Sequence, residues 1–207
     1  MTRKLIKAPP TKNTLLNFKQ QLKFLEEGYV LLERKRELLT RLVYERIGEY
    51  RQLKSDTHRS IKEAYRWLSL AQLRMGHKTL SQASLAMEPV LDINILPRRA
   101  IGVEYPSVNV EKLPLKPVGL LGTDPSFDEA REQFADMAKL LARLGEAEMS
   151  LGRLIAEQRK AQKRVNALRY NIIPRYRDTI RFIENALEEE ERNTLFQVKV
   201  LRDQNRI

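Results

Sequence analysis

The side chains able to do chemistry are few. The chain has no cysteine and two histidines, His58 and His77, each in a polar context with no second histidine nearby. Disulfides, thiolate metal sites and cysteine nucleophiles are therefore excluded, and a histidine metal centre lacks its usual company. Carboxylates are plentiful, but Glu188 to Glu191 form an acidic helical run whose natural state is a solvated face, not a pair of groups tuned by burial for acid/base work. The nearest thing to a phosphate-binding loop, Gly119 to Gly122 followed by Thr123, lacks the lysine and does not open a helix at once. No Ser, His and Asp constellation is suggested by spacing. The residues thus predict a chain with no catalytic group, no cofactor and no metal of its own.

Charge narrows the classes further. The net charge is +11, and it is unevenly spread: the first 78 residues and the last 77 are basic, whereas the stretch between them is acidic. A basic chain raises nucleic acid as a partner. Here, however, the basic residues alternate with glutamates along helical patterns, and no helix-turn-helix, zinc or β-sheet RNA-binding signature accompanies them, so nucleic-acid binding is not expected. No apolar run approaches the roughly 18 residues of a membrane span, and the opening MTRKLIKAPP lacks the apolar centre of a signal peptide. These features predict a soluble, cytoplasmic protein with no direct membrane insertion.

With no chemistry to position, the elements themselves carry the reading. Thr11, after Pro9 and Pro10, reads as an N-cap. From there a seven-residue pattern runs through Leu15, Phe18, Leu22, Leu25, Tyr29, Leu32, Arg36, Leu39, Val43, Arg46, Tyr50, Leu53, Thr57, Ser60, Ala64 and Trp67, mostly apolar, and predicts a helix ending near Met75 at Gly76. A second helix is expected from about Ser126, where Ser126 and Glu129 read as a capping box. Its seam is Met137, Leu140, Leu144, Ala147, Leu151, Leu154, Gln158, Ala161, Val165 and Leu168. Ile172, Tyr176, Ile180, Ile183 and Leu187 continue it. Helices of roughly 64 and 77 residues would each span on the order of 100 Å and cannot stand alone in water. They must zip together.

The predicted fold is mostly α: a long antiparallel two-helix coiled coil with a small irregular or β-hairpin head between the helices. Residues 1–75 form the first shaft helix with its basic leader 1–10, residues 76–125 the head, and residues 126–207 the second shaft helix. The head holds six of the nine prolines. Within it Val90 to Leu96 and Ile101 to Tyr105 read as short strands separated by Pro97-Arg98-Arg99. Pairing from the inner ends sets position i opposite roughly 202 to 205 minus i, which brings Leu15 near Leu187 and Arg46 near Glu157 or Gln158. The four-residue steps at Ile172, Tyr176 and Ile180 predict a locally straighter coil. Pro174 removes a backbone donor and crowds the Tyr170 carbonyl, which predicts a kink, since the apolar stripe continues on both sides without loop residues.

Several segments resemble the D subunit of the V-type and archaeal-type rotary ATPases, the counterpart of the F-type γ subunit. Arg164-Val165-Asn166-Ala167-Leu168, Ile173-Pro174-Arg175 and Thr179-Ile180-Arg181-Phe182-Ile183 are similar to that family's C-terminal helix. Pro10-Thr11-Lys12, Leu15-Leu16, Gly28 and Leu31 to Glu37 resemble its N-terminal helix, with Lys12 where arginine is usual and Glu33 where lysine is expected. Arg99 to Pro106 resembles its central segment.

The resemblance implies a non-catalytic central rotor-stalk component that transmits torque between the catalytic hexamer and the membrane ion-translocating ring, in a complex coupling ATP synthesis or hydrolysis to proton or sodium transport. The implied partners are the catalytic A and B subunits, the small rotor F subunit and the funnel-shaped subunit that links to the membrane ring, which would place the chain peripheral to the membrane. It also implies a bearing inside the hexamer, made by Leu5, Ile6, Leu195, Phe196, Val198 and Leu201, with Thr194 beside them. Around it lie Arg192, Lys199 and Arg202, together with Arg3, Lys4, Lys7 and Arg206; ordinary seam packing is the alternative for Leu195, Val198 and Leu201. Trp67, Leu70 and Leu73 would contact the small rotor partner or the head, with core packing the stronger reading for Trp67. A cytosolic coiled-coil adaptor or chaperone-like hairpin without a rotary role is the competing reading of the heptads alone.

Overall fold

A computed structural model describes residues 5–118 and 122–204. The elements run α1 (Lys12–Met75), α2 (His77–Leu85), β1 (Leu91–Ala100), β2 (Val103–Lys112), α3 (Pro125–Ala167), a π turn (Leu168–Ile172) and α4 (Ile173–Gln204). The protein is mostly α, with long helices at both ends of the chain and one two-stranded sheet between them. Its contacts fall into two compact units, one made of the chain up to Glu37 together with Gln158 onward, the other of Leu38–Glu157.

In the first unit α1 and α4 lie antiparallel. The Thr11 hydroxyl accepts the Thr14 N–H at 3.2 Å, satisfying a first-turn donor that the helix leaves open. Leu15, Phe18, Leu22, Leu25, Tyr29 and Leu32 are half-buried, and Phe18 meets the ring of Tyr176 at 5.3 Å between centroids. Across from them Val165, Ile180 and Ile183 are buried, and Leu168, Ile172 and Leu187 half-buried. Ion pairs join Lys12 to Glu191, Lys19 to Glu184 and Glu26 to Arg177. These set residue i opposite 203 minus i, within the expected register.

The leader departs from expectation. Pro9 and Pro10 break the helical direction, the Thr11 N–H bonds back to the Pro9 carbonyl at 3.0 Å, and the Ile6 N–H donates to the Thr179 hydroxyl at 3.2 Å. Thr179, 1% exposed, donates its own hydroxyl proton to the Arg175 carbonyl. Leu5 and Ile6 therefore lie beside the middle of the α1–α4 pair and not beside Leu195 to Leu201.

The four-residue steps from Leu168 to Ile180 also resolve differently from a straightened coil. Three such steps hold about one residue more than a three-four alternation. The structure takes up the excess as the π turn, in which the Ile173 N–H reaches back to the Leu168 carbonyl. Pro174, half-buried, follows at once. A proline ring crowds the carbonyl four residues before it, and a widened turn at that place relieves the crowding. The chain passes Pro174 without a loop.

The second unit packs the remainder of α1 against α3 and the head. Leu39, Thr57, Ala64 and Ala71 are buried on α1, and Phe127, Ala130, Ala135, Ser150 and Leu154 on α3. The alanines on both sides let the helices approach closely, and the Thr57 hydroxyl avoids an orphaned buried proton by bonding the Leu53 carbonyl at 2.7 Å. Val43, Tyr50, Leu53, Leu144 and Leu151 are half-buried along the same contact. Tyr65 and Phe134 stack edge to face at 5.6 Å. Arg46 does not reach the expected partners: it pairs with Glu49 on its own helix and shares a groove with Arg143, Glu146, Ala147 and Ser150 of α3. The offset that holds for Lys12, Lys19 and Glu26 therefore does not extend to Arg46.

Gly76, at φ 77°, ends α1 as expected, but α2 then follows, a nine-residue helix that the sequence did not announce. The hairpin is also longer than expected. Leu91 pairs with Lys112 and Ala100 with Val103, so Pro97 faces Pro106 in mid-strand and Pro97-Arg98-Arg99 is not the connection. Each strand of a two-stranded ribbon is an edge, so both prolines fit without breaking a ladder. The turn is Ile101-Gly102, both at positive φ (52° and 74°), the two-residue geometry that matches strand twist. The α3 start is one residue earlier than expected and is capped by Asp124: its carboxylate accepts the Ser126 N–H at 3.0 Å and the Ser126 hydroxyl, with Pro125 at the first helical position. Ser126 is thus the capped residue and not the cap.

Candidate interaction surfaces

Four surfaces stand out once the buried residues are assigned. The first is the free end of α4. Because Lys12 faces Glu191, residues 192–204 run past the start of α1 for about 20 Å at 1.5 Å per residue. Every one of them is exposed. Leu195, Phe196, Val198 and Leu201 are 56–68% exposed, so they are not buried in a seam within this chain, although Thr194 and Leu195 flank a groove with Pro10, Thr11 and Lys12. Arg192, Lys199 and Arg202 stand among them, also exposed, and Arg192 lies 3.9 Å from Glu188 on its own helix. Single exposed apolar residues are ordinary, but several on one helical end mark a contact surface. Arg3, Lys4 and Arg206 fall outside the described residues, as do Gly119 to Leu121.

The second surface is strand β1 of the hairpin, with Ile93 and Ile95 on one face and Leu96 on the other. Ile93, Ile95 and Leu96 are 46–65% exposed. The hairpin is tied down from its other strand: Lys112 bonds Asp136 at 2.8 Å and Glu132 at 3.6 Å, and Arg153 donates to the Glu104 carbonyl at 2.9 Å. The hydrogen bond to Asp136 raises the Lys112 pKa above its ordinary value, against the opposing cost of burial. None of these isoleucines was expected as a contact residue, although their alternation in Ile93-Asn94-Ile95 was the available signal.

The third is an apolar groove of about 740 Å³ between α2 and α3. Leu80, Met87 and Val90 line it on one side and Phe127, Phe134 and Met137 on the other. It forms because α2, with no buried residue of its own, does not fill the space beside α3. Arg131 lies at its edge with its side chain 7% exposed, holding the strap after β2 through the Lys116 carbonyl at 2.8 Å. Trp67 and Leu70 are half-buried nearby on α1, whereas Leu73 is 83% exposed.

The fourth is a polar island in the α1 seam. Arg36 bonds Gln162 across the helices at 3.1 Å and Glu33 at 2.7 Å, and Gln162 in turn bonds Asn166 at 2.8 Å. Among the described residues no group of three or more His, Cys, Asp or Glu is placed to hold a metal ion, and no helix is long and apolar enough to cross a membrane.

Buried seams that hold paired helices, and exposed apolar surfaces left at a free helical end and on a hairpin, define a coiled-coil component of a larger assembly. Comparison with known proteins makes this specific. The family model described as the D subunit of ATP synthase matches residues 14–203, and the chain belongs to that family. It is 35% identical over 199 residues to the A-type ATP synthase D subunit of Pyrococcus furiosus, covering 94% of this chain and 93% of the relative. It is 34% identical over 195 residues to the V-type ATP synthase D subunit of Thermotoga neapolitana, covering 94% and 96%. The A-type D subunit of Methanosphaera stadtmanae is 33% identical over 197 residues, covering 93% and 92%.

Proposed function

We propose that this chain is the central rotor shaft of an A/V-type ATP synthase, a non-catalytic component that carries torque between the catalytic hexamer and the membrane ring. The observation that carries the reading is the bare end of α4, with Leu195, Phe196, Val198 and Leu201 exposed, in a chain matched to the D-subunit family over residues 14–203. A surface of that kind needs a sleeve, and the catalytic A and B subunits supply one. Leu5 and Ile6 leave the bearing set, because the leader is bonded beside Thr179. Arg192, Lys199 and Arg202 would pass acidic groups of the sleeve as the shaft turns.

The exposed isoleucines of the hairpin suit the small rotor F subunit, and the apolar groove beside α2 suits the funnel-shaped subunit that links to the membrane ring. Torque then passes through the seams, where each buried side chain is held between neighbours of the opposite helix and resists sliding. The chain works in the cytoplasm, at the membrane surface but outside it. Co-purification tests the assignment: a tagged chain expressed with its partners is expected to recover the A and B subunits. Clean recovery of the chain alone would favour an adaptor hairpin.

A further inference from the structure

The three ion pairs between α1 and α4 are not scattered. On α1 they fall at residues 12, 19 and 26, and on α4 at 191, 184 and 177, seven apart on both sides. Lys19 and Glu26 each follow a seam residue by one position, after Phe18 and Leu25; Glu184 and Arg177 likewise follow Ile183 and Tyr176. They form one edge of the seam, where facing charges in a coiled coil select partner and alignment. The signs are not uniform. α1 carries Lys, Lys, Glu and α4 carries Glu, Glu, Arg, at 2.9, 2.7 and 2.6 Å.

An apolar seam that repeats every seven residues tolerates a slide of one repeat, because leucines then meet other leucines. The reversed third rung does not tolerate it. A slide in one direction sets Lys19 against Arg177, and a slide in the other sets Glu26 against Glu184. The second slide also brings Glu33 level with Arg177, but Glu33 is already held by Arg36 at 2.7 Å. One rung further down the ladder stops, where Glu33 would face Tyr170 in the π turn.

We propose that this sign-reversed ladder is the ruler that aligns α4 on α1 and so sets how far the apolar end of α4 projects. With Lys12 level with Glu191, residues 192–204 stand free; a slide of one repeat would lengthen or shorten that projection by about 10 Å. Lys12, Lys19, Glu26, Arg177, Glu184 and Glu191 are positioning residues: they act through the placement of Leu195 to Leu201. The inference holds whatever the end of α4 contacts.

The full-length chain lacks cysteine, which permits a direct test. Spin labels on cysteines replacing the exposed Gln21 and Asn193 report the axial alignment as one distance. Inverting the α1 set alone (Lys12→Glu, Lys19→Glu, Glu26→Lys) sets like charges across every rung, and the fraction at the original distance is expected to fall at least about twofold, with the remainder broadened or displaced. Adding Arg177→Glu, Glu184→Lys and Glu191→Lys restores opposite signs and should restore the single distance. In 1 M salt, where screening acts over about 3 Å, the α1-inverted chain should regain much of it. An unchanged distance in the α1-inverted chain would overturn the proposal and leave the apolar seam as sole determinant. Failure of the complemented chain to recover would also overturn it, even if the α1-inverted chain had lost its helix, since pairing of opposite signs would then not suffice.

Discussion

Two truncations separate residues that build the protein from residues that serve a partner. Ile183 is 0% exposed on α4, and Phe196, thirteen residues further along the same helix, is 68% exposed. Ile183→Ala removes about three methylene equivalents from the α1–α4 seam, worth roughly 2.4 kcal/mol at about 0.8 kcal/mol each. A residual cavity adds to this, for a total of about 2–4 kcal/mol. In a chain of this length that lowers Tm by roughly 5–15 °C. Phe196→Ala removes a larger side chain that is already mostly in water, so its effect stays within about 0.5 kcal/mol. Helix circular dichroism followed through urea and thermal unfolding of the free chain measures both. A cost above about 1.5 kcal/mol for Phe196→Ala would mean that the end of α4 is packed within the chain. A cost below about 0.5 kcal/mol for Ile183→Ala would mean that the seam is not the core. Either result refutes the division.

Asp124 gives a pH-dependent prediction. The Ser126 hydroxyl and N–H, then Arg74, hold its carboxyl below the ordinary value of 3.8. The folded pKa being the lower one, its stabilisation is present above the unfolded value and lost as pH falls through the folded value. Asp124→Asn is therefore expected to lower Tm at neutral pH, with the gap to the parent chain closing only below about pH 4; a gap that stays constant to about pH 2 would assign the effect to something other than the charge. In the hairpin, Ile101 sits at φ 52°, strained for a β-branched side chain. Ile101→Asn should stabilise the hairpin by about 1 kcal/mol, read as slower amide exchange across the β1–β2 ladder; faster exchange would show that Ile101 packs usefully where it is.

The long helices were legible because their apolar residues recur at seven-residue spacing over many turns, and of the seam positions named on α1 only Arg46 is exposed. The ends of α1 were legible too, from Thr11 and Gly76. What failed was local. HKTLSQASL carries too little apolar surface to announce α2. Pro97 looked like a turn, because its tolerance in a two-stranded ribbon depends on a partner strand that a linear reading does not see. The run of four-residue steps at Ile172, Tyr176 and Ile180 is visible in the sequence, but a π turn and a straighter coil leave the same spacing, and only packing chooses between them. Of the residues named for the bearing, those on α4 are exposed together, whereas Ile6 is bonded to Thr179, a contact 173 residues away along the chain that no local pattern signals. The exposed isoleucines of the hairpin were missed because alternating residues read as an ordinary half-buried strand.

The central claim is that the end of α4 turns within the catalytic subunits. A photo-crosslinking residue in place of Phe196, introduced in the assembled complex, tests it most directly. Adducts with the A and B subunits are predicted, reached in turn as the complex hydrolyses ATP. Adducts confined to other subunits, or none in a complex that retains coupled hydrolysis, would contradict it.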